Sequence, residues 1–201
     1  MIYRKNPTFE PGKILFVYSM LVLSAIWATL TVSTAEAAES KTTQAAHADA
    51  VGNSLLAPFS GLVTLDGKVV SDGPMIGQGK WTLVMIWVTN CHICRGQKPK
   101  ISAFHEARKD VDATVFGIAM DGEDKINKVK KFLTELDVRF PTYVGDMMSV
   151  MKDYERLTRE PFQGTPTYLL FDPQGTLRGN NPGPVTVSAL ERFIDRHSNN
   201  R

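Results

Sequence analysis

The chain has 201 residues and a formal net charge of +2, with 43% hydrophobic and 22% charged residues, ordinary values for a globular protein. A near-neutral balance without a basic block gives nucleic acid nothing to bind. The lysines Lys125, Lys128, Lys130 and Lys131 alternate with apolar residues, as the wet face of a helix does. The two cysteines, Cys91 and Cys94, are too few for a disulfide scaffold.

The first element is an apolar run without charge over residues 14–32, close to the ~20 residues a membrane-crossing helix needs. Arg4, Lys5 and Lys13 lie in the basic tail, residues 1–13, which stays in the cytoplasm. Glu36 and Glu39 follow the run, so the bulk of the chain lies outside. The length of the run and its leading segment favour a permanent signal-anchor. The small residues around Ala35, Ala37 and Ala38 also admit a cleaved signal peptide. Either puts the cysteines in the periplasm or at the outer face of the membrane, where disulfides persist. Residues 33–54, rich in Ala, Ser and Thr, read as a flexible linker. Residues 55–199 are long enough for one domain with its own core.

Within that domain, residues 62–70 predict a hairpin around Asp66-Gly67-Lys68, since Asp-Gly is a strong turn signal. Residues 81–88 are almost wholly apolar, as in a strand buried on both faces. From Cys91 to about Lys109 the pattern is helical, with Ile101, Phe104 and Ala107 on one side and a kink expected at Pro99. His105 and Glu106 are placed on its surface. Residues 115–120 predict a second strand, residues 124–136 an amphipathic helix, residues 140–144 a short strand and residues 147–154 a short helix. Met147, Met148, Val150 and Met151 read as core and packing surface rather than a metal box. Gly164-Thr165-Pro166-Thr167 precedes a strand at 168–171. Asp172-Pro173-Gln174-Gly175 is a turn into a return strand, and residues 186–197 form the last helix. The order describes an α/β domain whose parallel strands need crossover helices, with an antiparallel hairpin at one edge.

The chemistry follows from where the cysteines sit. A four-residue loop gains little from a staple. Cys91, Cys94 and His92 are an incomplete zinc set, and Arg95 after Cys94 excludes haem attachment. Redox exchange remains. At a helix N-terminus unsatisfied N–H groups and the positive dipole end stabilise a thiolate. Cys91, the first of the pair, is therefore the nucleophile and Cys94 the resolving thiol.

A strand running into Cys91-His92-Ile93-Cys94, then Gly164-Thr165-Pro166-Thr167 before another strand, resembles the thioredoxin superfamily. The membrane-proximal segment, the turn at Asp66-Gly67-Lys68 and the stretch Phe171-Asp172-Pro173-Gln174-Gly175 are similar to its TlpA/ResA/DsbE branch. The resemblance covers about residues 58–197. It implies a thioredoxin-like fold, a central mixed sheet flanked by helices, with an N-terminal hairpin extension and membrane segment. It also implies a cis Thr165–Pro166 bond beside the cysteines, where Thr165 and Pro166 bind a substrate peptide as an added strand. No cofactor is implied beyond the redox-active Cys91–Cys94 disulfide, and no metal. The implied partners are protein thiols and disulfides and a membrane thiol transporter of the DsbD/CcdA type.

The chain departs from that pattern at three positions. Asn90 replaces the tryptophan before the first cysteine, Met85 stands where thioredoxins bury an acid, and Gln97 stands where ResA-like reductases have Glu. Proton transfer at Cys94 thus lacks its usual carboxylate. His92 could stabilise the Cys91 thiolate as an imidazolium or be a plain solvent-facing residue, and Ile93 is an apolar contact beside the disulfide. The leading expectation is protein-disulfide reduction, for example in cytochrome c maturation. Oxidation or isomerisation of secreted proteins and copper binding by Cys91, Cys94 and a histidine are the alternatives. A peroxidase reading is weaker, because no Pro/Thr-rich loop of the peroxiredoxin type precedes Cys91.

Overall fold

Seven consecutive buried residues, Trp81–Trp87, form strand β1 at the centre of the sheet. This is a computed structural model that describes residues 58–71 and 76–198. The expected tail, membrane run and linker lie outside the described residues. Burying the large apolar side chains of β1 on both faces stabilises the domain by about 1.5–3 kcal/mol each.

After β1 come α1 (His92–Arg108), β2 (Ala113–Ala119), a 3-10 turn (Glu123–Lys125), α2 (Ile126–Glu135), β3 (Thr142–Val144), α3 (Met147–Thr158), β4 (Thr167–Phe171), β5 (Leu177–Pro182) and α4 (Val187–Ser198). The sheet order is β3-β2-β1-β4-β5. β1 pairs parallel with β2, and β2 with β3; β4 is antiparallel to both β1 and β5. The fold is thioredoxin-like, a mixed sheet flanked by helices.

Alternation along β1 divides the core. Trp81, Leu83, Met85 and Trp87 pack with Cys94, Ile101 and Phe104 of α1, Val129, Phe132 and Leu133 of α2, and Leu190 and Ile194 of α4. Val84 and Ile86 face the other way, toward Val150 and Tyr154 of α3 and toward Phe59 and Leu62. Around Asp66-Gly67-Lys68 the chain turns back on itself: the Val70 N–H donates to the Leu62 carbonyl, and Val63 bridges to Val69 and to Val144.

Several expectations need correction. Ala107, expected on the inner side of α1, is exposed. His105, expected on the surface, is only 6% exposed. Its position continues the inward row of Cys94, Lys98 and Ile101 at helical spacing. Helix α3 extends to Thr158. Val150 is buried, but Met147 and Met148 at its start are exposed.

Candidate redox site

Strand β1 ends at Trp87, and the segment Val88–Asn90 carries the chain into α1. Asp121, just past the end of β2, holds this segment. Its carboxylate accepts the Thr89 N–H at 2.9 Å and also the Thr89 hydroxyl. The Cys91 N–H donates to the Val88 carbonyl at 3.2 Å. Cys91 thereby becomes the N-cap of α1, with extended φ −82° and ψ 107°.

Its sulfur does the work that an oxygen does in most caps. Sγ of Cys91 accepts the Cys94 N–H at 3.0 Å and is bonded to Cys94 Sγ, with the Cα atoms 5.2 Å apart. No acidic residue stands in the first turn of α1 to offset the positive helix end. Cys91 is half-buried and Cys94 fully buried. His92 and Ile93 are exposed between them, Ile93 by 51%.

Residues 164–167 close the other side. The Thr165–Pro166 peptide is cis, and the Thr165 carbonyl oxygen is 3.5 Å from Cys91 Sγ. Gly164, with φ 131°, takes a conformation that L side chains rarely adopt. The Thr167 hydroxyl donates to the Gly164 carbonyl at 2.6 Å, and the Gly183 N–H to the Pro166 carbonyl at 2.8 Å. Thr165 is half-buried while Pro166 is buried. The half-buried Cys91 therefore has a partly open backbone segment at its side.

Beneath the disulfide the two expected carboxylate positions are filled by neutral groups. Met85 is fully buried and lies opposite Tyr168 in the β1–β4 register. Gln97 is buried, and its Oε1 accepts from the Tyr168 hydroxyl at 3.2 Å and the Val185 N–H at 3.1 Å. Gln97 thus ties α1 to β4 and to the segment before α4. Burial pushes the Tyr168 phenol well above its ordinary range, so it remains a donor.

Three residues near the site escape sequence reasoning. Asp121 positions Thr89 across 32 residues of chain, and nothing local announces that. His105 Nδ1 accepts the Val115 N–H at 3.1 Å. That donor points to the β3 side of β2, but β3 begins opposite Gly117, so the ring replaces a missing strand. Burial lowers the His105 pKa, aided by Lys109 and opposed by Glu106 and Asp110, which keeps the acceptor neutral. Lys98 is fully buried. The signal for both was available: 94, 98, 101 and 105 fall on one helix face. Among the described residues no three of His, Cys, Asp and Glu gather to hold a metal ion.

Residues 56–180 match the family model described as the AhpC/TSA family. The chain is 27% identical over 135 residues to thiol-disulfide oxidoreductase YkuV of Bacillus subtilis, covering 66% of this chain and 85% of that protein. It is 24% identical over 140 residues to thiol-disulfide oxidoreductase ResA of Bacillus thuringiensis, covering 70% and 75%. Among solved structures, a thiol:disulfide interchange protein from Chlorobium tepidum superposes with a TM-score of 0.57 at 24% identity, over 69% of this chain and 91% of that one. StoA from Bacillus subtilis superposes with a TM-score of 0.52 at 19% identity, over 68% and 98%. These two likenesses concern the fold.

Proposed function

The chain belongs to the AhpC/TSA family, and we propose that it is an extracytoplasmic thiol-disulfide oxidoreductase acting on proteins, in the reducing direction. The observation that carries this reading is the asymmetry of the sulfurs. Cys91 is reachable, capped by a helix N–H and flanked by the Thr165 backbone; Cys94 is bonded to it from within the core.

In the reduced protein, the Cys91 thiolate attacks a sulfur of the substrate disulfide. A mixed disulfide forms and one substrate thiolate leaves. Cys94 then attacks Cys91 Sγ, the Cys91–Cys94 bond forms, and the second substrate thiol is released. The substrate gains two electrons and the protein loses two. Thr165 and Pro166 receive the substrate chain beside the sulfur. His92 and Ile93 form the exposed rim the substrate meets, and Gln97 fixes the wall behind it. Electrons return from a membrane thiol transporter of the DsbD/CcdA type, and cysteines awaiting haem in apocytochrome c are a fitting substrate. The apolar run at residues 14–32 supports a location at the outer face of the cytoplasmic membrane, held by an anchor.

Neutral Met85 and Gln97 beneath the disulfide, with His92 beside Cys91, favour a second reading, net oxidation or isomerisation of secreted proteins. Insulin reduction coupled to dithiothreitol, with a redox titration of Cys91–Cys94, tests both. Insulin reduction and a potential near the thioredoxin value of about −270 mV support reduction, and a potential near about −120 mV supports oxidation. A cysteine pair that never exchanges with dithiothreitol or glutathione overturns both.

A further inference from the structure

One ionisable side chain in α1 has no part in the chemistry above. Lys98 is 0% exposed and lies one helical turn beyond the equally buried Cys94. Its Nζ is 3.3 Å from the ring centroid of Trp87 and 5.3 Å from that of Phe140. It makes no hydrogen bond. Trp87 Nε1 and Thr142 Oγ1 share that property among the described residues, and both lie 3.0 Å from the point a Cβ on Gly117 would occupy. Lys98 and Trp87 thus bring two unpartnered buried polar atoms into the core cluster that holds Cys94. A methionine would fill the Lys98 position without the desolvation an amine incurs. Stacking on Trp87 recovers part of that loss.

The charges around Lys98 can be named element by element. Strand β1, α2 and the segment before β3 present Trp87, Phe132 and Phe140, all uncharged. Asp121, past β2, is the acid whose field reaches it. On α1 itself, Arg95 lies over the Phe132 ring at 4.6 Å and pairs with Glu135 of α2 at 3.6 Å. His105, two turns on, is occupied by the Val115 N–H. Burial holds the Lys98 ammonium well below the ordinary lysine range, with Asp121 opposing less strongly. A buried lysine in that condition is a base rather than a fixed cation.

We propose that Lys98 is the proton acceptor for Cys94, a positioning residue that acts through the buried sulfur and replaces the carboxylates absent at Met85 and Gln97. The proposal rests on the exchange reaction above. With Cys91 in a mixed disulfide, the Cys94 thiol passes its proton to the Lys98 amine. The Cys94 thiolate, now facing an ammonium, attacks Cys91 Sγ. The Cys91–Cys94 bond forms, the bond from Cys91 to the substrate sulfur breaks, and the substrate thiolate departs with the electron pair. Once Cys94 is bonded, the ammonium has lost its counter-charge and returns its proton to solvent, while the departing substrate thiolate takes a proton from water. Residues i and i+4 of a helix share one face, and the flexible lysine stem lets Nζ leave the Trp87 ring, 3.3 Å away in the oxidised protein, to meet the Cys94 thiol once the disulfide has opened.

Two measurements on the full chain test this. In the Cys91→Ser protein, thiolate absorbance titrates Cys94. With Lys98 intact, Cys94 titrates below the ~8.5 of a free cysteine although burial alone raises it. A value above that overturns the proposal and needs no change at Lys98. Next, Lys98→Met is introduced beside both native cysteines, and reaction with a disulfide-bonded peptide is quenched in acid over time. The mixed disulfide at Cys91 then accumulates, and its resolution at pH 7 slows tenfold or more, recovering as the pH rises. Attack by Cys91 itself keeps its rate. Resolution at the parent rate in Lys98→Met overturns the proposal while leaving the exchange function intact. Absence of exchange in the parent protein overturns the function itself.

Discussion

The carbonyl oxygen of Thr165 stands 3.5 Å from Sγ of Cys91, although 74 positions separate the two residues. Strand β4 runs antiparallel to β1, so the start of the one meets the end of the other at the mouth of α1. In the proposed exchange reaction, a peptide bonded to Cys91 lies along Thr165. In a mixed disulfide trapped on the Cys94→Ser protein, amide hydrogen exchange at Thr165 should slow about fivefold or more. That corresponds to one hydrogen bond of about 1 kcal/mol. Unchanged exchange there would remove Thr165 from the substrate site.

Asp121 is a brace for the turn that presents Cys91. Replacing it with Asn weakens the bonds to the Thr89 N–H and hydroxyl, which draw on the carboxylate charge. The Asp121→Asn protein should lose about 1–3 kcal/mol of stability. Urea unfolding would register this as a lower midpoint with the slope unchanged. Disulfide exchange should slow as well. A variant equal to the parent in both would mean that the turn is held by the backbone alone.

Gln97 gives one oxygen to two donors, the Tyr168 hydroxyl and the Val185 N–H. Gln97→Leu leaves both facing an apolar group, at a cost of about 1–3 kcal/mol for each donor left unpaired. With two donors, the protein should be destabilised by about 2–6 kcal/mol in denaturant titration. A loss below about 0.5 kcal/mol would show that α4 and β4 do not depend on this tie.

His105 gives stability a pH dependence. Its folded pKa lies below the ordinary value, chiefly through burial. The unfolded chain therefore binds the proton more readily, and the contribution of the neutral ring is complete above about pH 6.5. It falls away as the pH drops from there toward the folded pKa. His105→Leu should be about 1–3 kcal/mol less stable than the parent at pH 8, since the Val115 N–H loses its acceptor. Between pH 6.5 and 5 the gap should narrow. A constant gap would contradict the assignment.

The parts of this site that sequence reveals are those with local signals. The apolar run of β1, the change to helical spacing at Cys91 and the Thr165-Pro166 segment each mark their own place. Their meeting in space follows from strand order, which the succession of elements constrains strongly. What sequence hid depends on partners far along the chain or on exceptions to ordinary burial. Lysine and histidine are mostly found toward water, so His105 reads as a surface residue and Lys98 draws no notice, despite both sharing a helix face with Cys94 and Ile101. Asp121 reads as a strand terminator until Thr89 is seen against it. Met147 and Met148 carry apolar side chains yet stand exposed, because apolar character alone does not say that a neighbouring element covers a residue.

The division of labour between the sulfurs can be measured by trapping. Full-length Cys91→Ser and Cys94→Ser proteins are incubated with a disulfide-bonded protein substrate, and the adducts are mapped by mass spectrometry. The Cys94→Ser protein should accumulate a substrate joined to Cys91, while the Cys91→Ser protein, whose remaining sulfur is buried, should accumulate almost none. Equal trapping by the two variants, or none by either, would contradict an exchange centre with Cys91 at its mouth and Cys94 behind it.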